Sequence, residues 1–242
     1  MPGTPYVSVI VPAYNERAKI VSTIVQIQDY FAEYGESVQI IVAADGQDGT
    51  REAARSVIRG NRNILVIGNG QRFGKGRAIR EAMALATGNN IGFVDADNKT
   101  PISEFAKFRP YLESGCDLVI GSRALKESRI ERAQCWYRRI GSKGFSVLVR
   151  TLLDLHGIRD TQCGFKFFQR HVARDIFNRQ KIDGYMFDIE ILYLAILLGY
   201  KIKQVPVRWK DDADSRLELV KGNIRNVMDV VRIRFTTSKK NF

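Results

Sequence analysis

The residues with the clearest chemical potential end an apolar run, Ile91-Gly92-Phe93-Val94-Asp95-Ala96-Asp97. Side chains alternate along a strand, so Asp95 and Asp97 are expected to project the same way. Two carboxylates held that close repel unless a cation lies between them. Hard oxygen ligands of this kind suit Mg²⁺ or Mn²⁺, ions that also bind substrate phosphates. Taken as a bare triplet, Asp-x-Asp equally describes two solvated turn aspartates. The rest of the chain has to separate those readings.

Similar polar clusters follow other apolar runs. Val7–Val11 reads as a buried strand, and Pro12-Ala13-Tyr14-Asn15-Glu16 as the loop after it. Ile20, Ile24, Ile27 and Phe31 give Ala18–Tyr34 helical spacing. Val38–Ala43 is a second strand, Asp45–Gly49 a turn, and Thr50 the expected cap of a short helix. Ile64–Ile67 is a third strand, before the glycine-rich basic loop Gly70–Gly76 and a helix over Arg77–Ala86. Asn90–Val94 and Leu118–Gly121 are further strands, and Pro101 opens a helix between them. This alternation implies an α/β fold with a doubly wound, mostly parallel sheet. The loops at Asn15, Asp45, Gly74 and Asp95 all follow strands, so they are expected to gather at one sheet edge, where such folds bind ligands.

The second half is organised differently. Gln134–Leu155 reads as a long helical stretch carrying Arg138, Arg139, Ser142 and Lys143. Arg159-Asp160-Thr161-Gln162-Cys163-Gly164 is a polar turn entering the aromatic strand Phe165-Lys166-Phe167. Phe187–Leu198 is an apolar helix with Asp188 and Glu190 at its start, where they serve either a site or a helix cap. Lys201–Val207 is a strand, followed by the charged loop Trp209–Arg216. A final helix over about Leu217–Phe235 sets Val220, Ile224, Val227, Met228 and Val231 on one face and Lys221, Arg225 and Arg232 on another. Its apolar face either packs on the core or lies on an anionic membrane. The chain divides into a catalytic domain, residues 1–216, and a basic helical tail, 217–242.

Composition narrows the partners. The formal charge of +12 points to an anionic ligand or surface. The three cysteines, Cys116, Cys135 and Cys163, show no metal-binding spacing, and their odd number fits a reducing compartment better than a disulfide framework. Only two histidines are present, His156 and His171, which excludes a histidine-rich metal centre. No signal peptide is expected at the start, and the apolar run Ile189–Leu198 is too short to span a bilayer. A cytoplasmic protein, peripheral at a membrane face, is the expectation. A nucleic-acid-binding module would interleave exposed aromatics with Lys and Arg, whereas most phenylalanines here lie in apolar-periodic segments.

Four loops in order, Pro-Ala-Tyr-Asn-Glu, Asp-Gly-Gln-Asp-Gly-Thr, Gly-Lys-Gly and Asp-Ala-Asp, resemble the GT-A glycosyltransferases of family 2. Ile120-Gly-Ser-Arg123, Asp160-Thr-Gln-Cys-Gly-Phe-Lys166 and Phe187-Asp-Ile-Glu190 are similar to the dolichyl-phosphate mannose synthase and dolichyl-phosphate β-glucosyltransferase branches, with Ile158–Phe167 nearer the glucosyl one. The resemblance implies hexose transfer from a nucleotide sugar, UDP-glucose before GDP-mannose, to dolichyl or polyprenyl phosphate. It implies a donor site of Pro12, Tyr14, Glu16, Asp45, Lys75, Asp95 and Asp97, with Asp95 and Asp97 holding Mg²⁺ or Mn²⁺. It assigns Arg123, Arg139, Ser142, Lys166 and Arg216 to the acceptor phosphate, and Asp97, Asp160, Gln162 and Asp188 to catalysis. Which of Arg138 and Arg139 faces the site stays open, as does whether Gly74-Lys75-Gly76 cradles phosphate or only makes a turn.

The acceptor sets the mechanism. A phosphate oxygen is ionised near neutral pH and needs no strong base, so positioning and electrostatics should suffice for in-line attack with inversion. A sugar hydroxyl acceptor would instead need a carboxylate base, with Asp188 or Asp160 as the candidate. Three departures from the family pattern stand out. Ala44 replaces the first of two paired aspartates, Lys99 stands where the mannose branch has a metal-binding glutamine, and the transmembrane segments of many relatives have no counterpart.

Overall fold

A computed structural model describes residues 4–58, 60–131, 145, 147–210 and 221–237. Its frame is a seven-stranded sheet in the order β3-β2-β1-β4-β7-β5-β8. The strands are β1 (Val7–Tyr14), β2 (Val38–Asp45), β3 (Ile64–Ile67), β4 (Asn90–Val94), β5 (Leu118–Ser122), β7 (Phe165–Gln169) and β8 (Ile202–Pro206). Short β6 (Arg129–Ile130) and β9 (Arg208–Trp209) pair separately. All pairings in the main sheet are parallel except those of β7, which runs antiparallel between β4 and β5.

The helices cover both faces. They are α1 (Arg17–Glu33), α2 (Thr50–Ser56), α3 (Lys75–Leu85), α4 (Arg109–Glu113), α5 (Arg170–Arg179), α6 (Phe187–Leu197) and α7 (Lys221–Thr236), with a 3₁₀ turn at Ile102–Lys107. Strand alternation distributes the core. Val7, Val9, Val11, Phe165 and Phe167 face α1, where Phe31, Phe105 and Phe108 join them. Phe105 and Phe167 meet edge-on with centroids 4.7 Å apart. Ile10, Phe93 and Phe168 face the other way, toward α3, α5 and α6. Each phenylalanine fully buried here contributes about 1.5–3 kcal/mol of transfer free energy. Helix α6 is apolar all round and lies in this second core, with Phe187 through Ala195 buried.

Several boundaries differ from expectation. β1 runs through Pro12 to Tyr14 and β2 runs to Asp45, because the two stay paired to their last residues, Tyr14 opposite Asp45. α3 starts at Lys75 rather than Arg77. Gly49, not Thr50, precedes α2, and the Thr50 hydroxyl donates instead to the Asp48 carboxylate at 2.7 Å. Pro101 leads into the 3₁₀ turn, with α4 following as a separate helix. Within the stretch Gln134–Leu155, residues 132–144 and 146 lie outside the described residues, and 147–152 are helical. Of the helix expected over Leu217–Phe235, α7 is described from Lys221. Among the described residues no helix is long and apolar enough to cross a membrane.

Candidate active site

The carboxyl ends of β1, β2 and β4, with the loop after β3, meet at one edge as expected. Asp45, at the end of β2, is buried and accepts hydrogen bonds from the N–H groups of Asn69 and Phe73, both at 3.0 Å. Both carboxylate oxygens are thus engaged by the loop after β3, so Asp45 shapes the pocket wall. Beside it lies a cavity of about 380 Å³ lined by Tyr14, Asn15, Gln47, Asp48 and Arg72 among others. The Arg72 guanidinium stacks 4.4 Å from the Tyr14 ring centre and donates to the Tyr185 hydroxyl at 2.8 Å. Glu16 stands at the head of α1, its N–H donating to Thr50 Oγ1 at 3.0 Å. Pro12, expected in the donor site, is buried inside β1.

Strand β4 ends at Val94, so Asp95 and Asp97 lie in a turn rather than on the strand itself, and the expected alternation does not set their direction. The turn is pinned elsewhere. Asn98 N–H donates to Asp95 O at 3.2 Å, and the Thr23 hydroxyl of α1 donates to Ala96 O at 2.8 Å. Asp95 Oδ1 accepts from Lys75 Nζ at 2.6 Å, and Asp97 Oδ2 lies 3.2 Å from Lys99 Nζ. Two ammonium groups therefore already sit on the two carboxylates. Among the described residues no three His, Cys, Asp or Glu side chains converge. The pair nonetheless fits Mg²⁺ or Mn²⁺, which commonly use one or two carboxylates and complete their shell with water and substrate phosphate.

Gly74-Lys75-Gly76 resolves into a packed turn whose lysine faces the site. The N–H groups of Gly76 and Arg77 donate to Asp183 O at 2.8 and 3.2 Å, which occupies the donors a phosphate would use. A β-carbon on Gly74 would lie 2.3 Å from that same carbonyl. Burial acts to lower the Lys75 pKa, but the charges of Asp95 and Asp188 outweigh it and raise the value, so the ammonium stays protonated. Segment 181–183 is braced in turn by Glu190. This buried carboxylate accepts from the N–H groups of Lys181 and Ile182 at 2.9 and 2.8 Å. Neither Asp188 nor Glu190 caps α6.

The turn before β7 docks on the Asp-x-Asp turn. Asp95 N–H donates to Gly164 O at 3.2 Å, and a β-carbon on Gly164 would lie 2.0 Å from Asp95 Oδ2. Sequence reasoning gave Gly164 no role; its only signal was its place between Cys163 and Phe165. Asp160 is nearly buried and takes both Arg123 Nε, at 2.7 Å, and Arg123 Nη2, at 2.9 Å. Gln162 N–H also donates to it at 3.2 Å. Burial alone would raise the Asp160 pKa; the Arg123 charge and these hydrogen bonds outweigh it and bring the value down to about 2.

Lys166 departs from the expectation that it meets the acceptor phosphate. Its side chain is 0% exposed, and Nζ donates to Asp188 Oδ1 at 2.6 Å and to Cys163 O at 2.7 Å. Alternation along β7 is the cause, since Lys166 shares the α6-facing side with Phe168 while Phe165 and Phe167 face α1. Burial raises the pKa of Asp188, with the charges of Lys166 and Lys75 opposing. Arg139, Ser142 and Arg216, with Arg138, lie outside the described residues.

Helix α7 has two apolar faces. Val230 and Ile233 are buried in the core against α6, whereas Val227, Met228, Val231 and Phe235 are exposed, Phe235 at 78%. At 100° per residue the exposed four form a stripe about 100° wide, with Arg225 and Arg232 along one margin and Arg234 along the other. The helix lies against the segment that carries Tyr185, the partner of Arg72. A β-carbon on Gly184, next to Tyr185, would lie 3.4 Å from Asp229 Oδ2.

A family model described as glycosyl transferase family 2 matches residues 8–177. The chain is 35% identical over 243 residues to a Dictyostelium discoideum protein named dolichyl-phosphate beta-glucosyltransferase, covering 95% of this chain and 74% of the relative. A Saccharomyces cerevisiae protein of the same name is 30% identical over 250 residues, covering 95% and 74%. The Homo sapiens protein is 31% identical over 232 residues, covering 88% and 70%. Among solved structures, glucosyl-3-phosphoglycerate synthase from Mycobacterium tuberculosis, in complex with Mn²⁺, UDP and phosphoglyceric acid, superposes with a TM-score of 0.71. It is 20% identical, and the match covers 95% of this chain and 78% of that one. Mannosyl-3-phosphoglycerate synthase from Rubrobacter xylanophilus gives a TM-score of 0.70 at 20% identity, covering 95% and 73%. At that identity these structures establish the fold, the GT-A arrangement expected from the sequence.

Proposed function

The chain belongs to glycosyl transferase family 2, and from that premise we propose that it moves glucose from UDP-glucose to dolichyl or polyprenyl phosphate. The attack is in-line on the anomeric carbon, and the product is a β-linked lipid-phosphate sugar. One observation carries this choice of acceptor. Both candidate general bases are already engaged, Asp160 by Arg123 and Asp188 by Lys166. A group with a pKa of about 2 and both oxygens hydrogen-bonded is a poor proton acceptor. An ionised phosphate oxygen needs none.

The donor site is assigned to the cavity beside Tyr14 and Arg72, with the diphosphate extending toward Asp95 and Asp97. A Mg²⁺ or Mn²⁺ ion on these carboxylates would neutralise charge on the departing nucleoside diphosphate. Lys75, fixed by Asp95, holds a second positive charge near that leaving group. Tyr14 lines the base pocket, Asp45 holds the loop that carries Gly70 and Arg72 beside it, and Glu16 stands close by at the head of α1. Arg123, oriented by Asp160, faces the acceptor side with its remaining N–H donors, and Gln162 follows in the same turn. By resemblance Arg139, Ser142 and Arg216 complete the phosphate contacts. Lys166 acts indirectly, holding Asp188 and the 163–164 backbone in place.

The exposed stripe of α7 is the membrane contact in this reading. An apolar band flanked by arginines suits the anionic cytoplasmic leaflet, and its helix lies against Gly184, beside the Tyr185 that holds Arg72. The test is a panel of nucleotide sugars, UDP-glucose and GDP-mannose included, with Mn²⁺ or Mg²⁺ and a short polyprenyl phosphate, and mass analysis of the product. A glucosylated polyprenyl phosphate from UDP-glucose is expected. Transfer to sugar hydroxyls with none to phosphate would overturn the proposal.

A further inference from the structure

The Asp-x-Asp turn carries its own positive charges. Lys75 and Lys99 are mostly buried, 18% and 17% exposed, and each pairs with one of the two carboxylates. Lys75 reaches in from α3 and also faces Asp188 and the Phe187 ring. Among the described residues Lys99 forms an ion pair with Asp97 alone, and its backbone is fixed at both polar groups. Its N–H donates to Asp97 Oδ1 at 3.3 Å, and its carbonyl accepts from Lys210 N–H at 2.9 Å. The ammonium is therefore held over the carboxylate by a short, anchored stretch of chain.

The formal charges of the two carboxylates and two ammonium groups cancel. A divalent cation arriving alone meets no net negative charge and must displace an ammonium to gain a ligand oxygen. A cation arriving with a diphosphate meets a different balance. The phosphate oxygens neutralise the metal and give the displaced ammonium a new anionic partner. We infer that Lys99 is a built-in competitor for the metal at Asp97, so that the ion binds together with the nucleoside diphosphate and only weakly before it. The inference rests on the metal reading of Asp95 and Asp97 and adds the coupling between metal and donor. Lys75 is the poorer probe of this effect, because its loss would also strip Asp188 and Phe187 of a neighbour.

The test is a Mn²⁺ titration with the free ion followed by electron paramagnetic resonance, with and without UDP. The parent chain should bind Mn²⁺ at least about tenfold more tightly when UDP is present. Lys99→Met keeps the stem but removes the ammonium, and its thioether is a poor ligand for a hard cation. It should tighten Mn²⁺ binding without UDP by about tenfold, the lower end of the effect of an opposite charge at this separation. Lys99→Arg keeps the charge and should match the parent. Equal Mn²⁺ affinity in Lys99→Met and the parent without UDP, while Asp97→Asn still weakens binding, overturns the inference and leaves the metal site standing. Equal affinity of the parent with and without UDP also overturns it. If Asp97→Asn binds Mn²⁺ as the parent does in both conditions, the metal reading itself falls, and this inference with it.

Discussion

Replacing Gly164 with alanine should cripple transfer while leaving the protein folded. The added β-carbon would sit 2.0 Å from Asp95 Oδ2, whereas ordinary contact begins near 3.4 Å. The carboxylate must therefore retreat by about 1.4 Å, since the peptide of Gly164 is tied to Asp95 N–H. A misplacement of about 1 Å at a catalytic group costs on the order of 10²-fold in rate. A loss of about 100-fold in kcat/KM for the donor is expected, equivalent to about 2.7 kcal/mol of transition-state stabilisation. Asp95 is 39% exposed, so it has solvent to move into and the core is spared. Steady-state kinetics across donor concentrations, with thermal unfolding of both proteins, make the assay. Parent-like kcat/KM in a folded Gly164→Ala protein would refute the reasoning, because the turn before β7 would then be free of the Asp-x-Asp turn.

Other expectations follow from the same geometry. Asp97→Ala should lower kcat by about 10³-fold with the fold intact, the several kcal/mol expected of a lost metal ligand; activity within tenfold of the parent would contradict the metal role. Asp160→Asn leaves the Arg123 charge unpaired and should cost about 3–5 kcal/mol in denaturant unfolding at pH 7. The depressed pKa of Asp160 stabilises the native state above the ordinary carboxylate value and is lost as pH falls toward about 2. The stability gap between parent and Asp160→Asn should thus narrow by about 2 kcal/mol between pH 5 and pH 2, and a constant gap would count against the ion pair. Met228→Glu combined with Phe235→Glu, both at solvent-exposed positions, should weaken binding to phosphatidylserine vesicles by at least about tenfold. Its unfolding temperature and its activity on a short soluble acceptor should not change, and undiminished vesicle binding would remove α7 from the membrane contact.

Much of this arrangement is legible in the sequence. Apolar runs ending in polar loops marked where the strands of the first half lie, because a parallel sheet buried on both faces needs uninterrupted β-branched strands such as Val7–Val11. They also placed the loops at Asn15, Asp45, Gly74 and Asp95 at one edge. Lys166 shows what was missed and why. A basic residue in a phosphate-binding context reads as a ligand, yet in a strand covered on both faces every side chain is inside, and a buried lysine needs a buried acid. Asp188 is that acid, and its distance in sequence hid the pairing. Glu190 was hidden in the same way, because bracing residues 181 and 182 is a contact between a helix and the loop preceding it, with no periodic signature. The antiparallel course of β7 depends on pairings with β4 and β5, and no local pattern in Phe165–Gln169 reports them.

That course of β7 bears on how the enzyme comes into being. β4 and β5 have no direct pairing and are joined only through a strand made later, so the sheet stays open along β4 until Gln169 has left the ribosome. An open edge in a half-made sheet invites pairing with other chains, which makes this interval the hazardous one in biogenesis. The same delay has a protective side. Gly164 reaches Asp95 only when β7 slots in, so a nascent fragment holding every donor-side residue still lacks the support that sets its acidic turn. The donor-side residues thus precede, in synthesis, the strand that completes their support.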